Sequence, residues 1–118
     1  MSHTPESKVK SKVTSQLREL GAYYFFPATG GYGRSGVPDI VGCYKGRFFG
    51  IECKAGANTP TPLQEKNLKD ILATGGISLS VNEVNMYDIK QLLDSSAVSG
   101  NEDGYRWEQL ELPFEVMP

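Results

Sequence analysis

Two apolar segments joined by a pair of turn residues constrain the fold of this chain more than any other feature. Residues 38–44 and 47–54 are rich in β-branched and aromatic side chains, and Lys45-Gly46 between them suits a tight turn. The pattern predicts a β-hairpin that starts at Pro38, because proline is tolerated at the first residue of a strand but not inside a central one. Any fold of this chain has to include this hairpin in its sheet.

The rest of the chain predicts three helices and two further strands, from apolar periodicity and from capping residues. The predicted elements are a helix capped by Thr4, a strand over 22–26, a helix capped by Thr61, a strand over 77–81 with one covered face, and a last helix capped by Asn85. The order is therefore α-β-β-β-α-β-α, which predicts an α/β fold with a central mixed β-sheet flanked by helices.

The length of 118 residues fits one compact domain. We place this domain over residues 1–93 and an acidic C-terminal extension over 94–118, which packs on the domain, packs on a dimer partner, or is mobile. Six of the 14 acids but only one of the 12 bases follow residue 93, so residues 1–93 are mildly basic although the whole chain has a net charge of −2. This charge permits DNA binding but does not predict it alone.

Composition also bears on the compartment and on the cysteines. The chain has no apolar run that could span a bilayer and no signal-like N-terminus, so we expect a cytoplasmic protein of a bacterial or phage-infected cell, without membrane contact. Cys43 and Cys53 are too few for a zinc cluster or a disulfide scaffold, and both lie in apolar segments, so we expect both to be free buried thiols.

A glycine-rich loop over residues 31–36 matches the dinucleotide-binding pattern G-x-G-x-x-G. That pattern binds a pyrophosphate only where a helix follows, whereas here a strand follows. We therefore expect no nucleotide cofactor. The loop is either a flexible surface segment or a segment that brings Arg34 to a DNA backbone.

Three charged residues of the hairpin carry the candidate chemistry. Glu52 and Lys54 are two residues apart on one strand, so their side chains share a face, and Asp39 starts the neighbouring strand. Two carboxylates can hold Mg²⁺ or Mn²⁺, and a nearby lysine can orient a water or stabilise charge on a phosphate. The alternative is an ordinary cross-strand ion pair at the end of a sheet.

Two further polar residues lie on apolar helix faces. Glu6 precedes Val9 and Val13 at helical spacing, which favours a third carboxylate of the site, although an exposed acid in a first helical turn is the alternative. Gln64 aligns with Leu68 on the second helix, but a capping box also requires Gln at this position. Both roles therefore stay open.

The ordered set of motifs resembles the PD-(D/E)xK nucleases, and more narrowly the stand-alone phage and bacterial members of the VRR-NUC branch. The resemblance covers about residues 4–93, and it implies a restriction-endonuclease-like fold with metal-dependent nuclease activity. It implies Asp39, Glu52, Lys54 and Gln64 as catalytic residues, and Glu6, Asp39, Glu52 and the backbone carbonyl of Cys53 as ligands of Mg²⁺ or Mn²⁺. One departure is that residues 79–83 contain no arginine, although the branch is named for such an element.

The resemblance also suggests a substrate and an assembly. Stand-alone members are similar to Holliday-junction resolvases and tend to dimerise, so we expect a structure-selective DNA endonuclease, of junction or flap type, that forms a homodimer. Lys8, Lys12 and Arg34 are the candidate DNA-binding residues. The alternatives are a restriction-type endonuclease, a DNA-binding module without catalysis, and a metal-binding or purely structural domain.

Overall fold

The computed structural model of this chain describes residues 4–28 and 33–99, and its elements follow the predicted order. The helices are α1 (Pro5–Glu19), α2 (Pro62–Ala73) and α3 (Ile89–Ser99), and the strands are β1 (Tyr23–Phe25), β2 (Ile40–Tyr44), β3 (Arg47–Cys53) and β4 (Ile77–Val81). The predicted α/β class and the mixed sheet are confirmed, and the architecture is consistent with a restriction-endonuclease-like fold. Residues 100–118, most of the predicted acidic extension, lie outside the described part.

The sheet has the order β1-β2-β3-β4. The first three strands are antiparallel, and β4 runs parallel to β3 because α2 forms the crossover between them. The predicted hairpin turn is confirmed, with φ values of 52° at Lys45 and 82° at Gly46. Positive φ at both central residues matches the right-handed twist of the two strands.

The helix starts predicted from capping residues are confirmed for α1 and α2. The Thr4 hydroxyl accepts a hydrogen bond from the Ser7 amide at 3.1 Å, and Thr61 forms a capping box with Gln64. Gly21 follows α1 with a φ of 73°, a left-handed conformation that ends the helix at little steric cost.

The hydrophobic core lies between the sheet and the pair α1 and α3. Alternate residues of each strand point into it, so Ile51 and Leu79 are fully buried with Val13 of α1 and Leu93 of α3. Helix α2 packs on the opposite face, against β3 and β4. The sheet is therefore covered by helices on both faces where β3 and β4 lie.

Three sequence-based expectations about these elements are wrong. Strand β4 is buried on both faces, since the Ser78 hydroxyl donates to the Leu68 carbonyl of α2 at 2.6 Å. Asn85 does not cap α3, which starts at Ile89; its side-chain oxygen accepts from the Asn82 amide at 2.8 Å. Helix α3 also continues to Ser99, whereas the polar composition after residue 94 predicts a loop over 95–104. Among the described residues, no helix is long and apolar enough to cross a membrane.

Candidate active site

The hairpin brings the three predicted charged residues to one edge of the sheet. Ile40 pairs with Ile51, so Asp39 comes next to Glu52 one residue further along the antiparallel register. Lys54 follows β3, and its ammonium lies 3.5 Å from Glu52 Oε2. The side chains of Glu52 and Lys54 are 2% and 14% exposed, so this ion pair is largely removed from solvent.

Glu52 is the most unusual of these groups. The residue is 1% exposed, and its Oε1 has no hydrogen-bond partner among the residues that the structure describes. The pKa of Glu52 is raised from 4.5 to about 7, first by burial and then by the negative charge of Asp39, while Lys54 opposes both effects. A buried carboxylate without compensation is costly, so Glu52 has capacity for another positive partner.

Asp39 is fixed by the backbone of the neighbouring strand. Its Oδ2 accepts a hydrogen bond from the Cys53 amide at 2.9 Å, which holds the carboxylate beside the end of β3. Burial raises the pKa of the Cys53 thiol far above its usual range, so this side chain is inert packing on the other face. The predicted ligand role of the Cys53 carbonyl stays a prediction.

Glu6 lies at the rim of the site. A cleft of about 460 Å³ separates the start of α1 from the loop after β3, and it is lined by Glu6 and Lys10 on one side and by Ala55 and Asn58 on the other. The expectation that Glu6 shares the buried stripe of α1 is wrong, because the residue is exposed in the first turn while Val9 is fully buried. Its charge still contributes to the raised pKa of Glu52.

The donor set fits a hard divalent cation in part. Asp39 and Glu52 supply two neighbouring carboxylates, and Mg²⁺ in proteins often has only one or two, with water and phosphate as its other ligands. The orphaned Glu52 Oε1 is an available oxygen ligand. Within residues 4–28 and 33–99, no three Asp, Glu, His or Cys side chains are grouped as a metal site. Glu6 as a third ligand therefore remains a prediction.

The other predicted residues have partners of their own. The Gln64 side-chain oxygen accepts from the Thr61 amide at 2.9 Å, so the residue serves the capping box of α2. Arg34 lies 3.8 Å from Asp70 at the surface, and the Lys12 ammonium lies 5.5 Å from the centre of the Tyr87 ring. Lys8 is exposed on α1. Their DNA contacts stay predictions.

The chain is similar to a phage protein. The chain is 34% identical over 73 residues to the protein named "Putative nuclease p44" of Acyrthosiphon pisum secondary endosymbiont phage 1, a match that covers 59% of this chain and 74% of the phage protein. The chain belongs to the family of this phage protein. No protein-family profile matches the chain.

The structure of this family member also shows exposed aromatic residues that the sequence analysis did not single out. Tyr23, Phe25 and Phe26 are exposed by 70%, 48% and 51%, although they were assigned only to a strand. The Lys10 ammonium lies 5.1 Å from the centre of the Phe26 ring. The aromatic run of β1 was visible in the sequence, but its exposure was not, because exposure depends on how much of each face the helices cover.

Proposed function

We propose that this chain is a divalent-metal-dependent nuclease of the PD-(D/E)xK type that hydrolyses phosphodiester bonds in DNA. The name of the phage relative supports nuclease activity in its family. The convergence of Asp39, Glu52 and Lys54 at one sheet edge supports the metal-dependent chemistry.

One observation carries the proposal. Glu52 is buried with an oxygen that has no partner among the described residues, and Asp39 lies next to it and raises its pKa. Two adjacent carboxylates with one nearby lysine leave a negative charge in a poorly solvated place. Such an arrangement destabilises the fold unless a cation or a proton compensates it, and retaining it is typical of a functional site.

The residues then have distinct roles. Asp39 and Glu52 would hold Mg²⁺ or Mn²⁺. When bound, such an ion neutralises charge on the phosphate and lowers the pKa of a water. Lys54 is held by its ion pair with Glu52, and from that position its ammonium can orient the attacking water or stabilise charge on the phosphate. Gln64 would support the site through the start of α2, which lies against the segment before Asp39: a side chain at Gly36 would meet Leu63, and Asn67 donates to the Ser35 carbonyl at 3.2 Å.

We further propose that the enzyme is selective for branched DNA, of junction or flap type, and that it acts as a homodimer. A small single site cuts one strand, whereas a two-fold dimer offers two sites to a symmetric junction. Sedimentation at micromolar concentration tests the dimer, and a monomer there contradicts it.

The nuclease is tested by cleavage of labelled single strands, duplexes, flaps and four-way junctions, with Mg²⁺, with Mn²⁺ and with chelator. We expect metal-dependent cleavage by the native chain and its loss in Lys54→Ala. Lys69→Ala is the matched control, because Lys69 is exposed on α2 and pairs with Glu65 at 3.8 Å, away from the site. No cleavage by the native chain with either metal contradicts the proposal and favours a DNA-binding module without catalysis.

A further inference from the structure

Exposed aromatic residues are concentrated at one side of the sheet. Among the described residues, seven large apolar side chains are exposed, and four of them come from β1, from the residue after it, and from β3. All four are aromatic. The other three are scattered: Leu63 starts α2, and Val84 and Tyr87 follow β4. The concentration is therefore a local feature of the β1 side.

Three of these aromatic residues form what we call the aromatic strip: Tyr23, Phe25 and Phe48. Tyr23 pairs with Cys43, and Cys43 pairs with Phe48, so these side chains share one face across three strands. Phe25 is two residues from Tyr23 on the same face, and the two rings meet edge to face with centroids 6.2 Å apart. Tyr24 between them points to the core.

The strip is exposed because helix α2 lies over the other half of this face. A side chain at Gly50 would meet Ile71 of α2 and Pro38, which shows how closely this face is covered at β3. Towards β1 the exposure rises, to 48% at Phe25 and 70% at Tyr23. Cys43, which lies between Tyr23 and Phe48, is exposed as well, so the expectation that this thiol is buried is wrong.

The strip leads to the candidate active site on the same face. Phe25 pairs with Val41, which is two residues from Asp39, and Tyr23 pairs with Cys43, two residues further. At the usual rise of a strand, Val41 and Cys43 lie about 7 Å and about 13 Å from Asp39 along β2, and Phe25 and Tyr23 lie beside them on the neighbouring strand. Glu52 shares this face, since it alternates with Phe48 and Gly50 along β3.

A basic residue lies near the same end of the sheet, but on the face opposite to the strip. The Lys10 ammonium is over the ring of Phe26, which contacts the core-facing Tyr24, and Lys10 also lines the cleft beside Glu6. Exposed aromatic rings are the usual surface for unpaired nucleotides, because each base can stack on a ring.

We propose that the aromatic strip binds unpaired bases of the nucleic-acid substrate, next to a scissile phosphate at Asp39 and Glu52. The inference rests on the proposed nuclease function and extends it, because it specifies a substrate with a single-stranded part. Two observations favour bases over a second copy of the chain: the exposed large side chains of the strip are all rings, and the strip shares the face of the sheet that carries Asp39 and Glu52.

Binding is measured by fluorescence anisotropy with a labelled single strand of roughly 12 nucleotides, within the site size of such surfaces, in chelator so that no cleavage occurs. We expect Tyr23→Leu and Phe25→Leu each to weaken binding about fivefold or more, the usual loss for a base–aromatic stack. Leu keeps apolar area but has no ring, so a surface that needed only apolar area would tolerate it. Both residues are exposed, so the fold should persist.

Two controls accompany these variants. Tyr23→Phe keeps the ring and should bind like the native chain. Tyr87→Leu removes a ring that is 62% exposed and lies under Lys12, but on the α1 side of the molecule, and it should also bind like the native chain. A bound strand should in addition slow the reaction of Cys43 with a neutral thiol reagent, since Cys43 lies between Tyr23 and Phe48.

Unchanged affinity in both Leu variants overturns the inference, as does a bound strand that leaves Cys43 equally reactive. A native dimer that becomes a monomer in Tyr23→Leu, with unchanged strand affinity, assigns the strip to a second copy instead. Failure of the nuclease proposal can be distinguished from failure of the strip proposal, because binding is measured without metal. A chain that binds the strand through the rings but cleaves no substrate contradicts the nuclease proposal. A chain that cleaves DNA but whose strand affinity is unchanged by the Leu substitutions contradicts only the proposal for the strip.

Discussion

At the scale of single residues, the sequence predicts which groups meet but not how they are solvated. The spacing of Glu52 and Lys54 on one strand was enough to place them on one face, and the ion pair confirms this. The unpartnered Glu52 Oε1 could not be predicted, since it depends on which side chains of other elements surround it. The exposure of Glu6 was only the alternative interpretation, for a similar reason: helical spacing identifies a stripe but not where the covering sheet ends.

The raised pKa of Glu52 predicts a pH dependence of stability. The native chain holds this proton up to about pH 7, whereas the unfolded chain releases it near 4.5. Between these values the native state binds more protons, so the free energy of unfolding falls as pH rises, by roughly 3 kcal/mol in total. The amide of Glu52→Gln does not titrate, so this variant lacks that loss of stability. Denaturant unfolding should show Glu52→Gln gaining stability over the native chain from pH 5 to pH 7, and parallel curves would contradict this.

The two cysteines should differ sharply in reactivity. Cys43 is exposed on β2, whereas Cys53 is buried and its pKa is raised by burial and by the charge of Asp39. We expect a thiol reagent to modify Cys43 in the native chain, and to modify Cys53 only after unfolding. Mass spectrometry of the labelled peptides checks this, and early labelling of Cys53 would show that the end of β3 opens readily.

At the scale of elements, most features that depend on neighbouring residues were predicted correctly, whereas features that depend on contacts between distant elements were not. The caps at Thr4 and Thr61 and the Lys45-Gly46 turn depend on a few neighbouring residues, and all are confirmed. The start of α3 and the burial of β4 depend on distant partners. Gln16 of α1 accepts a hydrogen bond from the Ile89 amide at 3.1 Å, and such a contact leaves no periodic signal in the sequence.

The capping box of α2 allows the two roles of Gln64 to be separated. Thr61→Ala and Gln64→Ala each remove one of its hydrogen bonds, at 3.2 Å and 2.9 Å, and each should cost about 1 kcal/mol of stability. If Gln64 also supports the site, Gln64→Ala should lose more activity than Thr61→Ala at equal stability loss. Thermal unfolding and cleavage rates of the two variants measure this, and equal activities would reduce Gln64 to a cap.

At the scale of the whole molecule, topology explains both the site and the surface beside it. The antiparallel hairpin and the parallel strand β4 bring the ends of β3 and β4 and the start of β2 to one edge, where the charged residues lie. The order of elements was predictable from the sequence, and so was the meeting of the charged residues at this edge. The aromatic strip was not, because its exposure depends on how far α2 extends across the sheet.

The central claim is that Asp39 and Glu52 lie together in order to hold a divalent cation, and metal-dependent stability tests it most directly. A cation that binds only the native state raises Tm, with no substrate required. At pH 8, Mn²⁺ should raise the Tm of the native chain and of Glu19→Gln, which alters an exposed acid at the end of α1, and should leave Glu52→Gln unchanged. An equal rise in Glu52→Gln would contradict the account.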